Sequence, residues 1–197
     1  MITQLSDHSV MKTTYNCYSY MNLFILRHAS AGTRRANPLL DVKRPLDKDG
    51  KRHCLQLAHV LNALKINFDL IVSSPLKRSL QTATLVGTET GYEAPVMLSA
   101  GLAPDAKLPD FLKLLQEFRN RENVLLVGHN PNLQGFLGAL VVPANQTPAQ
   151  IRLRKGSIAR LNLTRGPASL QGLMDPRVIR ALYATSTKTS RRKTAKK

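Results

Sequence analysis

FILRHASAG, residues 24–32, sets an apolar run directly against an arginine and a histidine. With Leu23 the run becomes LFIL, four apolar residues without polar alternation, the pattern of a strand covered on both faces. Two further runs repeat it, DLIV at Asp69–Val72 and VLLV at Val124–Val127, with a weaker candidate at Ala94–Leu98. Helical patterns lie between them. From Lys51 to Lys65 the positions Cys54, Leu57, Ala58, Leu61 and Leu64 follow the three-four spacing of one helix face, and Leu108–Phe118 does the same. Shorter helices are expected over Leu76–Val86 and Leu133–Leu140, and a half-exposed edge strand where Ala159, Leu161 and Leu163 alternate with polar residues. Strands alternating with helices argue for an α/β layered domain.

The three strong strands end alike. LFIL runs into Arg27-His28, DLIV into Ser73-Ser74-Pro75 with Lys77 and Arg78 following, and VLLV into Gly128-His129-Asn130-Pro131. If the strands are parallel, all three ends share the edge where open α/β sheets bind ligands. Ser74-Pro75 and Asn130-Pro131 each read as an N-cap followed by a first helical residue, which would aim two helix amino ends at that edge. Two arginines, two histidines and backbone N–H groups, with no acid in these motifs, suit a dianion and most naturally phosphate. A neutral imidazole at His28 is a competent nucleophile toward phosphorus, and His129 can donate to phosphoryl oxygens. HExxH spacing is absent, as are a GxxxxGK[ST] loop and a GxSxG elbow, which argues against metal, nucleotide-triphosphatase and serine-hydrolase chemistry.

LRHASAG, SSPLKRSLQTA and VGHNP, in that order, resemble the histidine phosphatase superfamily, and their compact arrangement is similar to its SixA-type phosphohistidine phosphatases. The resemblance spans about Met21 to Leu182 and includes RPLDKDG at Arg44–Gly50. It implies a three-layer α/β/α sandwich around a mostly parallel, mixed sheet, without a large lid insertion. It also implies a hydrolase of phosphoric monoesters or phosphoramidates that needs no metal or cofactor. By position, His28 becomes the nucleophile that carries a phosphohistidine, Arg27 and Arg78 bind the phosphoryl group, and His129 completes the pocket. Ala29 stands where many members have glycine, and Ser30 where SixA-type members often have an acid. The general acid is the least secure assignment, with Asp105 in GLAPDAK as the candidate. The short span between Arg78 and His129 implies an open site suited to a macromolecular substrate.

The chain has 197 residues and a formal net charge of +17. Residues 185–197 carry six cations and no acid, yet the rest remains basic, which suits a phosphorylated or acidic partner. The expected division is a polar leader over 1–20, a phosphatase domain over 21–182 and a basic disordered tail over 183–197, with Met21 an equally serviceable start. No run approaches the roughly 18 apolar residues of a membrane span, and no secretory signal pattern opens the chain, so a cytoplasmic protein is expected. Cys17 and Cys54 read as free thiols. His53 and His59 read as surface or packing residues, and Arg34, Arg35, Lys43 and Arg44 as a basic loop.

Three functions remain open: a phosphatase for phosphohistidine on a signalling protein, one for small phosphorylated metabolites, and a non-catalytic basic module for nucleic acid or polyphosphate. Five Phe, five Tyr and no Trp count against a nucleic-acid surface.

Overall fold

The computed structural model describes residues 20–164 and 166–194, with side chains as far as residue 185. Met21–Arg27 forms β1, and its first six residues are buried because both faces of the sheet are covered. The other strands are β2 (Leu70–Ser73), β3 (Met97–Leu98), β4 (Asn123–Gly128), β5 (Ile158–Leu163) and β6 (Ser169–Met174). They make one sheet in the order β3-β2-β4-β1-β5-β6. The first four are mutually parallel, whereas β5 runs antiparallel to β1 and β6 antiparallel to β5.

Side-chain alternation along β1 divides the core into two layers. Leu23 and Ile25 pack with Phe111 and Leu115 of α4 (Leu108–Glu117) and Phe136 and Leu137 of α5 (Asn132–Leu140). Phe24 and Leu26 face Leu57 and Leu61 of α2 (Lys48–Ala63), Val86 of α3 (Lys77–Glu89) and Ile179 of α6 (Pro176–Thr194). A short α1 (Pro38–Val42) buries no residue. The chain is therefore a three-layer α/β/α sandwich around a mixed sheet. Truncating a fully buried leucine such as Leu26 or Leu126 would cost about 2–5 kcal/mol.

Several expectations are corrected. β5 is interior, paired to both β1 and β6. Its polar positions are served by neighbours, since Arg160 lies 5.7 Å over the Phe24 ring and donates to Asn22 Oδ1 at 3.1 Å. The exposed edge on this side of the sheet is β6, whose SLQGLM carries no apolar alternation. The helices after β2 and β4 start later than the serine and asparagine suggested, with Leu76 and Pro131 as the residues before the first turn. The backbone is helical through the 182/183 boundary as far as Thr194, where a disordered tail was expected. Buried Ile179 and an edge-on contact of Tyr183 with His59, 5.0 Å between centroids, anchor the first turns of that helix, and the rest extends from them. The leader, including His8 and Cys17 and excepting Tyr20, lies outside the described residues, as do 195–197. Among the described residues no helix is long and apolar enough to cross a membrane.

Candidate active site

Strand register brings the three polar strand ends together. Arg27 pairs with Gly128 and Ser73 with Val127, so β1, β4 and β2 finish side by side. The ladder continues past the strands as His28 N–H donates to Gly128 O at 3.0 Å and Ser74 N–H to Val127 O at 2.9 Å. The His28 and His129 rings consequently lie 4.9 Å apart, tilted by 51°. Arg78 joins them from the first turn of α3, and all three side chains are buried. With Arg27 they line a cleft of about 600 Å³ whose rim carries Arg34, Arg35, Arg44 and Lys155.

The hydrogen bonds fix the proton on His28. Its Nδ1 is 2.8 Å from Ala29 O. A carbonyl only accepts, so Nδ1 carries the hydrogen and Nε2 keeps its lone pair. Burial, then repulsion by His129, Arg78 and Arg27, holds the imidazole neutral with its pKa down at about 2. His129 Nε2 is 2.9 Å from Ser74 Oγ, which accepts from Leu76 N–H at 3.3 Å and therefore has its own hydrogen to give. A serine hydroxyl can also accept a second hydrogen bond, so this contact allows the His129 proton on either ring nitrogen, and with Ser74 donating it sits on Nδ1. Burial followed by Arg78 and Arg27 takes the His129 pKa to about 3. Arg27 Nε, Arg78 Nε and His129 Nδ1 are all buried without a partner among the described residues. Each unpaired buried donor costs about 1–3 kcal/mol. Groups left open in this way beside the cleft are ones that an oxyanion can satisfy.

The segment after β1 is held from four directions. Asp47 caps α2 through Gly50 N–H at 2.7 Å, and its other oxygen accepts from Ser30 Oγ at 2.6 Å and Gly32 N–H at 2.8 Å. Burial alone would raise the Asp47 pKa, but these donors outweigh it and the carboxyl sits below its usual range. Ser30, the departure from the SixA-type pattern, thus meets Asp47 with a hydroxyl. A Cβ on Gly50 would meet Ser30 O at 2.0 Å, so only glycine lets the loop lie against α2. Arg44 donates to Ala31 O at 2.7 Å and Thr82 Oγ1 accepts from Ala29 N–H at 3.1 Å. From the β5 side, Gly156 N–H is shared between Arg27 O and His28 O at 3.0 and 3.2 Å, and Arg27 Nη1 donates to Leu153 O at 2.9 Å.

Two residues carry more than their sequence context suggested. Asp41 brings a carboxylate into the cleft, where it pairs with Arg44 at 2.8 Å and Arg78 at 3.2 Å. Burial favours its neutral form, but the Arg35 N–H and the two guanidinium groups prevail and bring its pKa to about 2. His53, half-buried on α2, contacts Gly156 O through Nε2 at 2.9 Å, one step from the His28 backbone. Neither sits in a motif, so only the folded chain reveals them. Asp105 is outside the cleft. The chain after the turn at Ala100–Leu102 sends Pro104 to the rim and Asp105 into a separate recess with Asp110 and Lys113.

The sequence model of the histidine phosphatase superfamily (branch 1) matches residues 23–103, which contain His28 and Arg78. An uncharacterised protein of Picosynechococcus sp. is 34% identical over 158 residues, covering 79% of this chain and 92% of its own. The chain belongs to the histidine phosphatase superfamily. Within that superfamily it is similar to the phosphohistidine phosphatase SixA of Escherichia coli, 26% identical over 160 residues that cover 77% of this chain and 97% of SixA. A solved structure of the protein histidine phosphatase SixA complexed with tungstate superposes with a TM-score of 0.69 at 27% identity, covering 79% of this chain and 97% of the other. The chain is accordingly a phosphatase of SixA type in fold and in family.

Proposed function

We propose that this phosphatase hydrolyses phosphohistidine on a protein through a phosphorylated His28. The observation that carries the reading is the absence of a usable acid. Asp41 is the one carboxylate among the described residues lining the cleft, and its arginine partners keep it ionised. An alkoxide leaving group needs a proton from a general acid, whereas a phosphohistidine ring protonated from solvent on its other nitrogen leaves as neutral imidazole with no proton delivered to the breaking N–P bond. His28 Nε2 attacks phosphorus as the substrate N–P bond breaks, and the electron pair departs with the substrate imidazole. Arg27, Arg78 and the His129 Nδ1–H take the charge on the phosphoryl oxygens. Water then attacks phosphorus, the His28–phosphorus bond breaks and inorganic phosphate leaves.

A protein substrate, in preference to a metabolite, is supported by the mouth of the cleft. Leu39, Leu40 and Val42 of α1 are 77%, 57% and 46% exposed beside the arginine rim, an apolar strip that a small ester does not require. The test compares kcat/KM for a phosphohistidine protein, an aryl phosphate and phosphoserine. The expected order is phosphohistidine first, aryl phosphate next and phosphoserine at least about 100-fold lower, the share of a general acid. Phosphoserine or a sugar phosphate turned over best would overturn the reading.

A further inference from the structure

A second concave surface adjoins the phosphoryl cleft, bounded by residues 150–155 before β5 and by the start of α6, with a volume of about 830 Å³. Six cations line it, Arg27, Arg152, Arg154, Lys155, Arg177 and Arg180, against one acid, Asp175. Asp175 pairs with Arg154 at 3.3 Å and Arg177 at 3.1 Å. Arg152, Lys155 and Arg180 have no ion-pair partner among the described residues, and all three are exposed. Arg27 and Lys155 line both the groove and the phosphoryl cleft, so the two are continuous.

We infer that this groove docks an acidic segment of the phosphorylated partner protein, next to the residue that carries the phosphoryl group. The inference rests on the protein-substrate reading above and adds a second contact. Charge complementarity selects an anionic occupant. The half-buried apolar side chains of Ile151 and Pro176 among the arginines favour a polypeptide over a bare polyphosphate. Among the described residues no aromatic one lines the groove, which leaves nucleic-acid bases without a stacking surface there. Arginine in place of lysine also suits paired contacts with carboxylates.

The test uses a fluorescent peptide rich in glutamate around a central histidine and its glutamine counterpart, each unphosphorylated and phosphorylated, with wild type and the double variant Arg152→Gln/Arg180→Gln. Both positions are exposed and outside the phosphoryl cleft, so turnover of an aryl phosphate should be unchanged and reports an intact fold. The glutamate peptide should bind wild type about tenfold or more tightly than the glutamine peptide. That preference should vanish in the variant and shrink as ionic strength rises from about 0.05 to about 0.5 M. Equal affinity for the two peptides, or a preference that survives in the variant, would overturn the groove. So would a short polyphosphate or oligonucleotide that binds more tightly through the same two arginines. Phosphate release separates this inference from the one beneath it. Binding of the glutamate peptide without dephosphorylation refutes the catalytic reading alone, and equal dephosphorylation of both peptides refutes the groove alone.

Discussion

Arg78 and Asp41 are joined twice, Arg78 Nη1 donating to Asp41 O at 2.9 Å and to Asp41 Oδ2 at 3.2 Å. The pairing fixes the guanidinium but leaves a negative charge in a pocket otherwise suited to an anion. Asp41→Asn should therefore separate binding from rate. Removing the charge should tighten inhibition by inorganic phosphate several-fold, while loss of the Oδ2 contact lowers kcat. Arg44, still bonded to Ala31 O and Gly32 O, should keep the loop in place. Phosphate inhibition and steady-state kinetics on one preparation check this, and weaker phosphate binding would mean that orientation of Arg78 dominates.

The buried histidines give stability a specific pH dependence. His28 and His129 are held neutral in the folded chain down to about 2 and about 3, whereas the unfolded chain protonates them near 6.5. Between those limits the unfolded state binds more protons, so stability falls as pH drops below about 6.5. Each histidine contributes at most about 1.4 kcal/mol per pH unit. His53, also depressed by burial, adds to the slope. Urea titrations between about pH 7 and pH 5.5, above the range where carboxylates titrate, should show the decline. It should be shallower in His129→Gln, and a flat profile in the wild type would contradict buried neutral imidazoles.

Much of this site was legible because it lies at strand ends. The runs LFIL, DLIV and VLLV needed only burial on both faces to be read, and parallel pairing then forced Arg27-His28, Ser73-Ser74 and Gly128-His129 onto one edge. Arg78 followed from helical spacing. What stayed hidden has no local signature. Asp41 enters through a five-residue helix with no buried face, and its role exists only because Arg78 and Arg44 fold against it. The Leu153–Gly156 segment reaches the site because β5 returns antiparallel beside β1, a connection that periodicity does not encode. β6 escaped notice because five of its six residues are exposed. Ser74 and Asn130 were read as helix caps, yet Ser74 serves His129 and Asn130 donates to Leu153 O at 2.8 Å.

Gly156 offers a test of that hidden support. Its φ is +80°, and an added Cβ would lie 2.4 Å from the His53 ring. Gly156→Ala should cost about 1–3 kcal/mol, lowering Tm by about 2–4 °C for each kcal/mol. His53→Ala removes the contact to Gly156 O without backbone strain. It should lower kcat more than it raises KM, because His28 is positioned less firmly while the phosphate-binding arginines remain. Calorimetry and kinetics on both variants check this; loss of stability with unchanged kcat in His53→Ala would assign that histidine to packing alone.

The central claim is that His28 takes the phosphoryl group. Wild type and His28→Ala should be mixed with a 32P-phosphohistidine protein at neutral pH, quenched rapidly and separated from the substrate. Label on the wild-type chain in acid-labile, base-stable form, absent from His28→Ala together with at least about a 1,000-fold loss of phosphate release, is the result expected. Label on another residue, or phosphate release by His28→Ala near the wild-type rate, would contradict it.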